Sequence, residues 1–160
     1  MGTKEETMAI YLVQHAKCLP KDRDPEKGLS EQGAADATRI AEVAAGYNVP
    51  VSRILHSGKK RARQTAEIFY NFLAPQNGLS IADGIKPLDD VALFGDQLDS
   101  TANTMVVGHL PFMEKLTAYL ITGSPEKPVF KFQNAGIVCL DIHPDTGTWV
   151  IKWALMPNID

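Results

Sequence analysis

The apolar residues of the chain fall into short blocks that alternate between strand-like and helix-like spacing. Short apolar runs, typical of buried strands, predict strands over residues 9–13, 52–56 and 104–107. Two segments between them repeat apolar residues at helical spacing, one after the N-cap residue Ser30 and one over residues 61–73. The predicted buried faces are Ala34, Ala37, Ile40, Ala41, Ala44 and Tyr47 in the first helix, and Ala62, Thr65, Phe69 and Phe72 in the second.

The rest of the pattern predicts a layered α/β fold. A turn-rich segment over 75–88, with a short strand near Ile81 or Ile85, leads into a helix-compatible stretch at 89–98. A further helix is predicted from Pro111 to about residue 121, followed by a hairpin of residues 136–142 and 148–153. This order predicts three α/β/α layers around a mostly parallel sheet with an antiparallel C-terminal edge hairpin.

Composition narrows the function classes. The 160 residues carry 16 Lys and Arg against 19 Asp and Glu, a net charge of −3, which argues against a nucleic-acid partner. Two cysteines cannot build a disulfide framework or a four-cysteine zinc site. Residues 1–7 are predicted to be a polar tail rather than a signal peptide, with Met8 an alternative start to Met1, and residues 8–160 a single domain. The apolar runs are too short for a membrane helix, so we predict a cytoplasmic protein with no membrane partner.

Candidate chemistry lies where the three predicted strands end. Gln14 and His15 follow the first strand, a basic cluster at 59–63 follows the second, and His109 follows the third. Ligands of parallel sheets bind at the carboxyl ends of the strands. Cations at the start of a helix oppose its macrodipole, and a bound anion would offset that cost. We therefore predict an anion site formed by Arg61, His15 and His109.

The other two histidines, and the cations of the 59–63 cluster other than Arg61, are predicted to have no role in this site. Lys59, Lys60 and Arg63 are each interpreted as solvated surface charges, His143 as a solvated turn residue, and His56 is given no function.

Three other motifs fail when their spacing is counted. A protein-tyrosine-phosphatase loop places Arg six positions after Cys, whereas Arg23 follows Cys18 by five. A P-loop needs Gly-Lys-Ser/Thr, but Gly58-Lys59 is followed by Lys60. No His-Glu-x-x-His or Cys-x-x-Cys pattern occurs, so neither a metal nor a cofactor is predicted.

Four motifs together resemble the histidine phosphatase (phosphoglycerate-mutase-like) superfamily. Ile10-Tyr-Leu-Val-Gln-His-Ala16 resembles its strand and Arg-His-Gly signature, and Leu29-Ser-Glu-Gln-Gly33 its Leu-Thr-x-x-Gly helix start. Ser57-Gly-Lys-Lys-Arg-Ala-Arg-Gln-Thr-Ala66 is similar to its Ser-Pro-x-x-Arg-Ala-x-Gln-Thr-Ala block, and Val107-Gly-His-Leu-Pro111 to its second-histidine motif. The short chain and the Gly-His-Leu-Pro form resemble the SixA-type branch of phosphohistidine phosphatases.

The resemblance implies a role for each matching residue. His15 would be the nucleophile that accepts a phosphoryl group, Arg61 would hold two phosphate oxygens, and His109 would donate to another. Lys27 matches a position where this branch often has a phosphate-contacting Arg. Asp90 falls where many relatives carry an acid, with Asp89 the adjacent alternative. The implied substrate is a protein phosphohistidine or a small phosphomonoester, hydrolysed without a metal.

One departure keeps a second hypothesis open. Gln14 stands where the superfamily has its first Arg, and Ala16 stands where it has Gly. Glutamine can donate hydrogen bonds to a substrate phosphate but brings no charge. The alternative to an enzyme is therefore a weak or inactive module that binds a phosphorylated partner.

Overall fold

The computed structural model describes residues 8–159. The tail predicted for residues 1–7, and with it the choice of start, lies outside the described residues. No helix in the described part of the chain combines the length and apolar character needed to cross a membrane.

Residues 8–159 form six strands and four helices. In chain order these are β1 (Ile10–Gln14), α1 (Glu31–Gly46), β2 (Arg53–His56), α2 (Lys60–Leu73), β3 (Leu79–Ile81), α3 (Val91–Gly95), β4 (Thr104–Gly108), α4 (Phe112–Thr122), β5 (Ile137–Ile142) and β6 (Trp149–Leu155). Each predicted strand and helix is present. The segment at 89–98 is helical only over α3, where Asp90 is the N-cap.

The strands form one mixed sheet in the order β3-β2-β4-β1-β5-β6. β1, β2, β3 and β4 run parallel. Val107 of β4 is paired with Val13 of β1 on one side and with His56 of β2 on the other. β5 pairs with β1 in the antiparallel sense and carries β6 at the edge. The predicted α/β fold, with a parallel sheet and an antiparallel edge hairpin, is confirmed. The carboxyl ends of the parallel strands lie at one edge of the sheet, so the segments after β1, β2 and β4 lie side by side.

Helices cover both faces of the sheet because successive strand residues point to opposite sides. Tyr11 and Val13 of β1 pack in a core with residues of α1 and α2, whereas Ile10 and Leu12 pack with residues of α3 and α4. All four are at most 1% exposed. Burial on both faces explains why β1 is a continuous apolar run.

Two predicted core positions are wrong. Tyr47 is 79% exposed because α1 ends at Gly46, which leaves Tyr47 as the C-cap beyond the packed face. Phe72 is 39% exposed, whereas Leu73 packs against the core. A helix turns once every 3.6 residues, so a stripe through Ala62 and Phe69 reaches residue 73 rather than 72.

Candidate active site

The ends of β1 and β4 place the two histidines beside each other. His15 donates its backbone N–H to the Gly108 carbonyl oxygen at 2.9 Å, which ties the loop after β1 to the end of β4. The imidazole rings of His15 and His109 lie with their centroids 5.2 Å apart and are tilted by 52°. The predicted convergence of these strand ends is therefore seen for His15 and His109.

Two residues of α2 fasten the neighbouring loops to the helix that carries Arg61. The Thr65 hydroxyl accepts a hydrogen bond from the backbone N–H of Ala16 at 2.9 Å and donates to the Arg61 carbonyl at 2.8 Å. The Gln64 side chain accepts from the backbone N–H of Leu29 at 2.8 Å. The Gln-Thr pair of the motif thus holds the loop after His15 against the first turns of α2.

The segment before β5 holds the loop from the other side. The Asn134 amide donates to the His15 carbonyl at 2.8 Å, and the Ala135 N–H donates to the Gln14 carbonyl at 2.9 Å. The backbone of residues 14–15 is therefore bonded to both neighbouring segments. The Gln14 side chain is 9% exposed, and its Oε1 is buried without a hydrogen-bond partner in the described part of the chain.

The start of α1 packs directly on the same loop. The Ser30 hydroxyl caps α1 by accepting from the Gly33 N–H at 3.0 Å. A Cβ on Gly33 would lie 2.0 Å from the Lys17 carbonyl oxygen, which is closer than any real contact. Glycine is therefore required at this position by close backbone approach rather than by a turn.

His15 is held neutral with one ring nitrogen available. Its Nδ1 lies 2.7 Å from the Ala16 carbonyl oxygen, which can only accept, so Nδ1 carries the proton and Nε2 has the lone pair. Burial lowers the pKa of His15 to about 4, the Ala16 hydrogen bond opposes this, and Arg61 and Lys27 lower it further. At pH 7 the ring of His15 is therefore uncharged, and its Nε2 has a free lone pair.

His109 is also neutral, and its Nε2 is hydrogen-bonded to Ser57. The Ser57 hydroxyl lies 2.5 Å from His109 Nε2, while Ser57 Oγ accepts from the Lys59 N–H at 3.4 Å. If the hydroxyl donates to Nε2, the proton of His109 resides on Nδ1, which is buried without a partner among residues 8–159. Burial, followed by the charges of His15, Arg61, Lys59 and Lys27, lowers the pKa of His109 to about 3.

Arg61 and Lys27 supply the positive field at the two rings. Arg61 lies in the first turn of α2, and within residues 8–159 its guanidinium forms no ion pair or hydrogen bond. Lys27 has a φ of 55°, a left-handed conformation that is uncommon outside glycine and is often found at functional sites. Because both charges lower the pKa of His15, both lie within electrostatic reach of its ring.

The other basic residues of the cluster differ from one another. The Lys60 ammonium lies 2.9 Å from Asp24 Oδ2, and Arg63 pairs with Glu67 at 3.6 Å. Lys59 is the N-cap of α2 but provides no side-chain cap, and the first turn of α2 contains no acid. The start of α2 is therefore basic, as the sequence indicates, but Lys60 is engaged in an ion pair rather than solvated alone.

The side chains of the two predicted acids form hydrogen bonds within their own turns. The Asp90 side chain is exposed and accepts from the Ala92 N–H at 2.9 Å as the cap of α3. The Asp89 side chain accepts from the Lys86 N–H at 2.8 Å. Neither carboxylate is among the charges that shift the pKa values of His15 and His109.

The two remaining histidines lie apart from these contacts. His56 Nδ1 accepts from the Gly58 N–H at 3.1 Å, and burial lowers its pKa. His143 Nδ1 accepts from the Asp145 N–H in the β5–β6 turn. Both bonds are local to their turns.

Sequence reasoning assigned no role to the residues that support the site. Ser57, Gln64 and Thr65 belong to the motif block of α2, so their pattern was visible although their contacts were not. Asn134 follows no strand or motif, and only its contact with His15 identifies it. No group of three His, Cys, Asp or Glu side chains within residues 8–159 is arranged to hold a metal ion.

The whole chain is similar to SixA proteins. It is 26% identical over 156 residues to the phosphohistidine phosphatase SixA of Escherichia coli strain K12, with 94% of each chain covered. The structure of the protein histidine phosphatase SixA complexed with tungstate superposes with a TM-score of 0.80 at 25% identity, over 94% of this chain and 97% of that one. The chain is a homologue of SixA.

A second SixA structure gives the same result. The SixA-type protein of Agrobacterium tumefaciens is 26% identical, with a TM-score of 0.73 over 94% of this chain and 98% of that chain. No protein-family model matches the chain. The SixA homology confirms the resemblance inferred from the four motifs and, at the level of the family, the phosphatase class of hydrolases.

Proposed function

We propose that this SixA homologue removes phosphoryl groups through a covalent phosphohistidine at His15, without a metal. The observation that carries the proposal is the state of His15. Its Nδ1–H is committed to the Ala16 carbonyl, its ring is neutral at pH 7, and its Nε2 lone pair is free beside the charges of Arg61 and Lys27. A neutral imidazole in that state is a competent nucleophile for phosphoryl transfer.

The first chemical step would form one bond as another breaks. His15 Nε2 attacks phosphorus while the bond from phosphorus to the departing nitrogen or oxygen of the substrate breaks. Arg61 and Lys27 would bind the equatorial oxygens, and the Nδ1–H of His109 would donate to another, since charge on these oxygens must be stabilised in the transition state. Water then attacks the phosphohistidine, releases inorganic phosphate and restores His15. The departing atom takes up a proton, and Asp90, with Asp89 as the adjacent alternative, is its proposed donor.

The relatives support a substrate class for the proposal. SixA of Escherichia coli is a phosphohistidine phosphatase, and a SixA structure contains tungstate, a tetrahedral oxyanion. A buried polar atom without a partner is rare, and a phosphate oxygen would satisfy the Nδ1 of His109. We therefore propose a protein phosphohistidine as the substrate, with small phosphomonoesters as the alternative.

Gln14 supports a second candidate function, a phosphate-binding module without turnover. The side chain is almost fully buried and has no charge, so it cannot supply the cation that the superfamily places there. A charge-assisted hydrogen bond contributes about 1.5–3 kcal/mol. Arg61 and Lys27 would still bind an anion without it, whereas the transition state would be stabilised less.

Phosphoenzyme trapping separates the two candidates. The protein is mixed with a ³²P-labelled phosphohistidine peptide and quenched in alkali, where phosphohistidine survives. We expect label on the wild type, and on the control variant His143→Ala, but neither label nor phosphate release with His15→Ala. Turnover should continue in EDTA.

Three results would decide against the enzyme as proposed. Undiminished release by His15→Ala would exclude His15 as the nucleophile. Loss of activity in EDTA would contradict the metal-independent mechanism. Phosphate binding by the wild type without label or release would favour the binding module.

A further inference from the structure

A groove lined by cations lies beside the site. It has a volume of about 560 Å³ and is formed by the loop before α1 and the start of α2. Six basic side chains line it: Lys21, Lys27, Lys59, Lys60, Arg61 and Arg63. The single acid in its lining is Glu26, so the groove is strongly positive in a chain whose net charge is −3.

Most of this positive charge is not compensated within the protein. Lys60 is paired with Asp24 at 2.9 Å and Glu26 at 3.8 Å, and Arg63 with Glu67 at 3.6 Å. Among residues 8–159 the other four cations have no acid within 4.0 Å. A concentration of unpaired like charges destabilises a folded protein, and an acidic ligand removes that cost.

The groove shares two residues with the proposed phosphate site. Arg61 and Lys27, which we propose bind the phosphoryl oxygens, both line it. The charges of Arg61, Lys59 and Lys27 all lower the pKa of His109. A substrate whose phosphoryl group lies at His15 would therefore place its neighbouring atoms against Lys59 and the remaining groove cations.

We propose that this groove binds acidic residues that flank the phosphohistidine of a protein substrate. The proposal rests on the proposed function and specifies the substrate. Sites for small molecules are mostly apolar and enclosed, whereas this lining contains no aromatic or large aliphatic side chain, and Lys21, Glu26 and Arg63 are exposed. Separate carboxylates along an extended segment can each reach a different cation, and the positive field speeds the encounter.

Binding of hydrolysis-resistant peptides tests the proposal independently of turnover. Two labelled peptides carry a phosphoryltriazole in place of phosphohistidine, one with Asp and Glu flanks and one with Asn and Gln flanks. Exposed ion pairs are individually weak, so two or three of them should make the wild type bind the acidic peptide about 3- to 10-fold more tightly. The ratio should decrease with added salt, which screens exposed charges.

Matched variants separate the groove from net charge. Lys21→Gln with Arg63→Gln should bring the affinity ratio towards one. Arg53→Gln with Lys127→Gln removes two charges outside the groove lining and should leave the ratio unchanged. Equal affinity of the wild type for both peptides, or an equal loss of preference in the two double variants, would overturn the proposal. A competition experiment tests nucleic acid as the ligand. If oligothymidylate displaces the acidic peptide at a lower concentration of negative charges than oligoglutamate does, the proposal is overturned and the groove favours nucleic acid.

Turnover is measured separately with the corresponding phosphohistidine peptides. Preference for acidic flanks in binding, without any hydrolysis, would refute the proposed function and support the role of the groove. Hydrolysis of both peptides with equal affinity would support the proposed function and refute the role of the groove.

Discussion

Gln14→Arg restores the cation that the superfamily places before the nucleophilic histidine. The backbone at Gln14 is fixed on both sides, by pairing of β1 with Gly108 of β4 and by the Ala135 N–H. The substitution should therefore change the side chain and leave the strand in place. It also replaces the amide oxygen Oε1, which is buried without a partner within residues 8–159.

The added charge destabilises the free protein and stabilises its phosphate complex. Without an anion, a third cation near Arg61 and Lys27 is repelled, since these two charges already lower the pKa of His15. With an anion, a charge-assisted hydrogen bond contributes about 1.5–3 kcal/mol, or roughly 10- to 150-fold in affinity. Binding also relieves the repulsion, so both effects increase the phosphate affinity. A donor to the transition state is typically worth about 10²–10³-fold in rate.

The assays are phosphate affinity, phosphate-induced stabilisation and turnover of phosphohistidine. Gln14→Arg should have a melting temperature no higher than the wild type without phosphate, a larger rise with saturating phosphate, and faster turnover. Gln14→Met, which keeps the length but has no donor, should bind phosphate no more tightly than the wild type.

A substitute lysine could already supply the missing charge. Lys60 is held by Asp24, which leaves Lys27 and Lys59. In that case Gln14→Arg would have little effect, and Lys27→Ala or Lys59→Ala would reduce the rate. The reasoning is refuted if Gln14→Arg improves neither affinity nor rate and neither lysine proves essential.

Three further predictions concern protonation and packing. The value of kcat/KM, corrected for substrate ionisation, should decline as the pH falls through about 4, because His15 then gains a proton. A decline of kcat/KM already at about pH 6.5, the ordinary pKa of histidine, would contradict this. Thr65→Val should lower the free energy of unfolding by about 1–3 kcal/mol, because it leaves the buried N–H of Ala16 without a partner. The control Thr117→Val removes only a hydrogen bond within α4 and should cost less. Equal losses of unfolding free energy in denaturant titrations would contradict this. Gly33→Ala should lower the free energy of unfolding by about 1–3 kcal/mol or more, because the added methyl group overpacks the contact with Lys17. In the control Gly46→Ala the added Cβ has no atom within 4 Å, so the free energy of unfolding should change by less than about 1 kcal/mol. Similar melting temperatures of the two variants would argue against the close contact at Gly33.

The local sequence determined the elements and the family. Continuous apolar runs indicated β1 and β4 because both are buried on both faces, and helical spacing indicated α1 and α2 because each packs one face on the sheet. The motifs around His15, Arg61 and His109 identified the SixA relationship that the whole-chain similarity confirms. These are properties of short segments, so short segments suffice to reveal them.

The tertiary structure alone decided the strand order and the chemical state of the site. β1 lies between β4 and β5, partners that are about 90 and 130 residues away in sequence, and no local pattern specifies such pairings. The neutrality of His15 and His109 arises chiefly from burial, and the tautomer of His15 arises from its hydrogen bond to the Ala16 carbonyl. Which lysines stay uncompensated depends on where loops place acids, as Asp24 shows for Lys60. Residue type sets what a side chain can do, but desolvation and hydrogen-bond geometry depend on atoms that only the folded chain brings together.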